Sequence, residues 1–134
     1  MNAFRLKIVS PDGLIYDGQA QQLTVRTTTG EMGILAGHIP CVAPLGMGKA
    51  TLVLEGSTRY AACIGGMVSI TDQLVTLVAT TFEWVENIDA ARAKLSQERA
   101  ETILSRKDNT ETDIRLAQAR LRRALVRQGV ASLK

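Results

Sequence analysis

The groups best suited to chemistry in this 134-residue chain are arginines at helical spacings near its carboxyl end. Arg92 and Arg99 lie seven apart, and Arg123 and Arg127 lie four apart, so each pair shares one face of a helix. A guanidinium carries forked N–H donors that match carboxylate and phosphate oxygens. Three uses of such a set stay open: a solvated basic face, a docking face for an acidic partner, or an anion pocket between helices. Other candidates carry less. His38 is the only histidine and has no nucleophile motif to serve, so it reads as a turn residue held by backbone hydrogen bonds. Gly30, Gly33 and Gly37 lack a following Gly-Lys-Ser/Thr and a helix, so they read as turn formers, not a phosphate loop. Gly65-Gly66 reads as a tight turn or bulge. Cys41 and Cys63, without Cys-x-x-Cys spacing, read as two buried thiols in a reducing compartment. No catalytic constellation and no metal site emerges.

The arginines need helices to hold them, and the second half of the chain supplies these. From Ile88 to about Ser105 there is no Gly or Pro, and Ala, Leu, Glu, Arg and Lys dominate. Asn87 is the expected N-cap, with Asp89 in the first turn at the positive end of the dipole. A polar turn at Arg106 to Thr110 leads to a second helix, capped by Thr110 or Thr112 and running to about Gln128, with Gly129 as its stop. Ala93, Ala100 and Leu104 share one face of the first helix. Ile114, Ala117, Leu121, Ala124 and Leu125 form the apolar stripe of the second, with Arg120, Arg123 and Arg127 opposite. So much alanine predicts a hairpin that buries little area and is marginally held, hence a candidate moving part.

The first half reads as antiparallel β. Phe4, Leu6 and Ile8 alternate with Arg5 and Lys7. Pro11-Asp12-Gly13 is turn chemistry. Ile15-Tyr16, Gln22 to Thr27, Ala50 to Leu54, Thr58 to Ile64, Met67 to Ile70 and Leu74 to Ala79 are further strand candidates. Thr29-Gly30-Glu31 and Gly46-Met47-Gly48 punctuate them. Short, closely spaced strands predict an antiparallel β-sandwich or barrel, followed by the two-helix hairpin.

Composition divides the chain at the same place. All five aromatics, all three prolines and ten of the eleven glycines lie in residues 1–84. That block holds five basic and six acidic residues, net −1, whereas residues 85–134 hold eleven and seven, net +4. The expected domains are therefore 1–84 and 85–134. An overall 46% hydrophobic content argues against disorder. No apolar run approaches the roughly 20 residues that cross a bilayer, and no signal or transit peptide is expected. The basic tail raises nucleic-acid binding as an alternative, but its acids and its lack of aromatic residues argue against that.

Several segments, in order and spacing, resemble the epsilon-subunit family of rotary F-type ATP synthases. They are Phe4-Arg5-Leu6-Lys7-Ile8-Val9-Ser10-Pro11, Tyr16-Asp17-Gly18, Gly30 through Pro40, Ile64-Gly65-Gly66-Met67 and Ile88-Asp89-Ala90-Ala91-Arg92-Ala93. The resemblance spans nearly the whole chain. It implies a noncatalytic subunit of the central rotor in a proton- or sodium-translocating synthase, on the cytoplasmic face of the bacterial plasma membrane. It implies a sandwich that binds the gamma subunit and the polar loops of the membrane ring, with Glu31 and His38 near those contacts. It implies helices that extend from the hairpin to reach the catalytic beta and alpha subunits and block ATP hydrolysis, with Arg120, Arg122 and Arg123 as docking groups. It also implies that no cofactor is required, with ATP as a regulatory ligand. For ATP, Ile88, Asp89, Arg92 and Ala93 match the family's Ile/Leu-Asp-x-x-Arg-Ala pattern. Arg99, Arg123 and Arg127 look like its other arginines, and Glu83 like the acidic residue before the linker.

Overall fold

The computed structural model describes residues 2–134. Among them, eight strands precede two helices: β1 (Phe4–Ser10), β2 (Gly13–Ala20), β3 (Gln22–Thr27), β4 (Gly30–Leu35), β5 (Cys41–Pro44), β6 (Met47–Leu54), β7 (Ser57–Ile70), β8 (Val75–Trp84), α1 (Ala90–Leu104) and α2 (Glu111–Ala131). One 3-10 turn, Val85–Asn87, joins sandwich to helices. The expected β-sandwich followed by a helical hairpin is what the chain forms.

The strands run β2-β1-β8-β7-β6-β3-β4, with β5 also on β7. Pairing is antiparallel except between β1 and β8, which run parallel. Two strands serve both layers. Residues 67–70 of β7 pair β5, whereas residues 57–64 pair β6. Residues 75–78 of β8 pair β1. Alternation then decides what is buried. Ile8, Leu77 and Val68 sit side by side across three strands, each fully buried. Leu23, Val25, Ile34 and Leu52 are likewise enclosed in the same core.

Where β7 was expected to break at Gly65-Gly66, it runs on as one strand of 14 residues. Register against β8 is the same on both sides of the glycines, so no bulge is present. The glycines are needed for another reason. Gly66 has φ +116°, and a Cβ there would meet the Val78 carbonyl oxygen at 2.0 Å. Gly48, expected in a turn, lies inside β6, where a Cβ would approach Arg26 Cβ to 2.8 Å. Both glycines mark close approach of neighbouring chain, a signal that resembles turn punctuation in sequence. β4 and β5 also arise in segments that offered no strand pattern of their own.

Three helix expectations change. The N-cap of α1 is Asp89, not Asn87, because Val85–Asn87 is taken up by the 3-10 turn. Asp89 Oδ1 accepts the Arg92 N–H at 3.0 Å. α2 begins at a complete capping box between Thr110 and Asp113. It then passes through Gly129 to Ala131, because Val130 and Ala131 are buried against Ala62 and Ile88, and that packing outweighs the roughly 1 kcal/mol cost of helical glycine. Ala93, Ala100, Ala117 and Ala124 are buried in the hairpin, but Ile114 and Leu125 are well exposed, so the stripe is narrower than its sequence suggested.

Both cysteines are free. Cys63 is buried, but Cys41 is only half-buried, which corrects the expectation of two buried thiols. Burial pushes the Cys63 thiol from its ordinary 9.0 up to about 12. The fold therefore favours the neutral thiol, so its contribution is complete below pH 9 and is lost as pH rises from 9 toward 12. At pH 8, a water-soluble thiol reagent is expected to modify Cys41 and to reach Cys63 only after denaturant is added. Fast modification of both in the native chain contradicts this burial.

Candidate functional site

Where the sandwich meets the hairpin lies a cavity of about 550 Å³. Two arginines enter it from different helices. Arg92 comes from the first turn of α1, one turn beyond the Asp89 cap. Arg127 comes from the last third of α2. Ala93 forms part of the floor, and Glu83 enters from the end of β8. The opposite wall is polar sandwich surface, with Ser10, Asp12, Thr80 and Thr81. Three carboxylates and two guanidinium groups thus face one space.

The groups are not independent. Arg127 Nε donates to Glu83 Oε1 at 2.6 Å, with both side chains about 30% exposed. This ion pair spans 44 residues and ties α2 to the sandwich. Beside it, Ile88, Val130, Ala131 and Ala62 form a small apolar patch, with Tyr60, Val85 and Val126 packed around it. Gln128 Nε2 donates to Gln97 Oε1 at 2.6 Å and links the two helices. The linker is tethered too. The Arg59 guanidinium lies 3.6 Å above the Trp84 ring and donates to Glu86 Oε1 at 2.7 Å. A hydrogen bond from its own backbone, and then the Arg59 donor, hold the exposed Glu86 carboxyl below the usual carboxylate range.

Of the eight residues marked for a nucleotide, the fold brings Glu83, Asp89, Arg92, Ala93 and Arg127 to this cavity. Ile88 is 2% exposed and acts as core beneath the turn. Arg99 is elsewhere: it borders a groove on the hairpin with Leu95, Glu98, Thr102, Ile103, Arg106 and Arg120. Seven residues separate it from Arg92, about 10 Å along the helix. Arg123 lines neither space and is half-buried one turn before Arg127, whereas Arg120 and Arg122 are exposed. The arginines of α2 are therefore not one solvated face, because Arg127 turns to Glu83. Glu31 is exposed at the start of β4, and His38 lies beyond its far end, where Nδ1 and the Ile39 carbonyl oxygen are 2.8 Å apart. His38 lines a second cavity, of about 270 Å³, with Arg5, Asp72 and the ends of neighbouring strands.

The sequence reading missed two features. Thr80 and Thr81 lie on the strand that carries Glu83, and Ser10 and Asp12 join them only because β1 lies beside β8, which no local pattern announces. The other is an apolar row across the outer face of one layer. Leu14, Val9, Val78, Met67 and Pro44 stand opposite one another on five strands. Leu14, Val78 and Met67 are 60%, 48% and 49% exposed, which is unusual for a row of neighbours. Met67, Val78 and Pro11 also line an apolar groove of about 530 Å³, which shares Ser10 and Thr80 with the first cavity. Alternation in β8 gave the signal, since Val78 falls between Leu77 and Ala79 on the outward face.

Residues 3–85 match the family described as ATP synthase, Delta/Epsilon chain, beta-sandwich domain, and residues 86–132 match ATP synthase, Delta/Epsilon chain, long alpha-helix domain. The chain is 41% identical over 131 residues to an ATP synthase epsilon chain of Bacillus pumilus, covering 98% of each. It is 38% identical over 135 residues to one of Ruminococcus albus, covering 100% of each. Its fold is shared with a chain of the Euglena gracilis mitochondrial ATP synthase, with a TM-score of 0.84 and 24% identity over 98% of this chain and 82% of that one.

The ion pair gives a direct test of how the hairpin is held. In denaturant unfolding of the full chain, a double-mutant cycle of Glu83→Gln and Arg127→Met is expected to show about 1 kcal/mol of coupling, as for a half-exposed pair. Additive effects contradict a tether through these two groups.

Proposed function

The chain belongs to the delta/epsilon chain family of ATP synthases, and on that premise we propose that it is the epsilon subunit, a noncatalytic part of the central stalk. The sandwich binds the gamma subunit and the loops of the membrane ring. The hairpin is the regulatory part: extended, it reaches the catalytic beta and alpha subunits and blocks hydrolysis; folded, it releases them. The protein works at the membrane surface as part of the complex, on the cytoplasmic face. Among the described residues, no helix is long and apolar enough to cross a membrane. The nucleic-acid alternative gains nothing from the structure, since Arg127 is engaged by Glu83 instead of being offered to solvent.

The apolar row supports the gamma reading. Exposed apolar neighbours on five strands suit a face covered by a partner over a large, mostly nonpolar area. The hairpin supports the mobile reading. Its interface is built on four buried alanines, worth about 0.8 kcal/mol for each methyl-sized group, so little is lost when the helices separate. Arg120 and Arg122 are exposed and free to meet an acidic surface of a catalytic subunit, and Arg123 joins them when the hairpin opens.

ATP is the regulatory ligand that we assign to the cavity. The observation that carries this reading is the convergence of Arg92 and Arg127, from separate helices, with Glu83 and Asp89. Guanidinium groups bind phosphate oxygens, and carboxylates accept from an amino-bearing base. A ligand held by both helices favours the folded hairpin by its differential affinity for the two shapes. Arg99, on the hairpin's other groove, and Arg123, which lines neither space, stand outside this assignment in the folded hairpin. We assign no metal to the cavity.

Removal of residues after Glu86 is expected to leave a folded sandwich at residues 1–84 that still binds gamma, while hydrolysis by the assembled complex rises. Met67→Glu in the full chain is expected to weaken gamma binding without unfolding the sandwich. An unfolded truncated chain, or hydrolysis unchanged by both truncation and joint replacement of Arg120, Arg122 and Arg123 by Ala, overturns the regulatory assignment.

Calorimetry tests the ligand. ATP is expected to bind the isolated protein with an affinity that falls as salt rises. Arg92→Ala is expected to abolish the heat and leave gamma binding intact. No heat at millimolar ATP leaves the arginines as a docking face.

A further inference from the structure

Beyond the cavity lining, Lys134 makes a long-range contact of its own. Lys134 Nζ donates to the main-chain oxygen of Ile88 at 2.7 Å, across 46 residues and in a partly buried setting. That carbonyl has a particular place. It belongs to the residue just before Asp89, whose own oxygen accepts the Ala93 N–H at 3.1 Å as the first helical bond of α1. The helix ladder therefore begins one residue after Ile88, and Lys134 supplies its carbonyl with a charged donor.

The same stretch of α2 also holds the side chain of this residue. Ile88 is 2% exposed, against Val130 and Ala131 from the last turn. The backbone of Lys134 is itself placed, with its N–H on the Ala131 oxygen at 3.2 Å. Residue 88 is thus fixed twice from the end of α2, at its side chain by packing and at its carbonyl by an ammonium. Release of this carbonyl would free ψ of Ile88, and an uncompensated change there would carry Asp89 off the Arg92 N–H that it caps at 3.0 Å. Arg92 and Asp89 both line the main cavity, so their placement follows from this peptide.

We propose that Lys134 is a positioning residue for the cavity, clamping the Ile88–Asp89 peptide so that the cap of α1 and the Arg92 side chain are set before any ligand arrives. The identity of the ligand rests on the nucleotide reading above; the clamp itself does not. Preorganisation of this kind raises affinity by removing an ordering cost that would otherwise be met on binding. It also makes Lys134, three residues beyond the end of α2, a sensor of hairpin closure, because the clamp exists only when α2 lies against the linker.

The full chain carries the test, with Lys134→Met to keep the stem and remove the donor, and Lys134→Arg to restore a donor. In the ligand-free protein, Lys134→Met is expected to raise hydrogen exchange at the Arg92 amide roughly tenfold, the lower end of the range for one hydrogen bond to a charged group. Amides of Leu77 in the sandwich and Ala117 in the hairpin are expected to be unchanged. ATP affinity measured by calorimetry is expected to fall by a similar factor, and Lys134→Arg to recover both. Unchanged exchange at Arg92 in Lys134→Met overturns the proposal, whatever ATP does. A rise shared by Leu77 and Ala117 also overturns it, by showing general loosening. Selective exchange at Arg92 with no ATP heat in the unaltered chain upholds the clamp and removes only the nucleotide reading.

Discussion

The ladder between β7 and β8 is the constraint on which the other parts depend. It runs through both layers of the sandwich, so the layers share a core through these two strands. Its continuity requires chain to pass closer than any side chain allows, and Gly66 provides that against the Val78 carbonyl. The end of the same ladder delivers Glu83 to the cavity and Trp84 to the face of Arg59. Errors at its centre would displace the linker and, through it, both helices.

The helices are held by a different kind of force. The sandwich closes over large branched side chains such as Leu6, Ile8, Leu23 and Leu77, all fully buried. The hairpin closes over alanines, good helix formers that bury little surface. Its attachment rests on one small apolar patch and a few long-range polar contacts at the carboxyl end of α2. A robust core and a weakly docked appendage give two levels of stability in one chain, which is what the proposed regulatory motion requires.

The cavity sits on that weak joint. Arg127 is already satisfied by Glu83, so an anion must share or displace an existing partner instead of filling an empty charge. Such competition keeps a partly buried cation from being left unpaired in either state. The apolar groove next door shares Ser10 and Thr80 with the cavity, so the faces proposed for ligand and partner are contiguous through the sandwich wall.

Much of this was legible in order along the chain. Period-two alternation at Phe4 to Ile8, turn chemistry at Pro11 to Gly13, and glycine-free, alanine-rich helices are local properties that backbone geometry imposes on neighbours. They determined a β block followed by two helices, and within the first helical turn Asp89, Arg92 and Ala93 all line one cavity. What failed were readings in which one residue type has two causes. Gly65-Gly66, Gly48 and Gly129 looked like stops, yet the first three relieve or accompany close strand packing and the last is carried through by the burial of Val130 and Ala131. Only the tertiary structure decided which arginines share a space. Arg127 and Arg92 meet because α2 folds back upon α1 and docks beside Glu83, whereas Arg99, equally suited by type and spacing, is left on the hairpin's outer groove. Periodicity fixes which face of a helix a side chain occupies, but contacts 44 residues apart in the chain fix what that face meets.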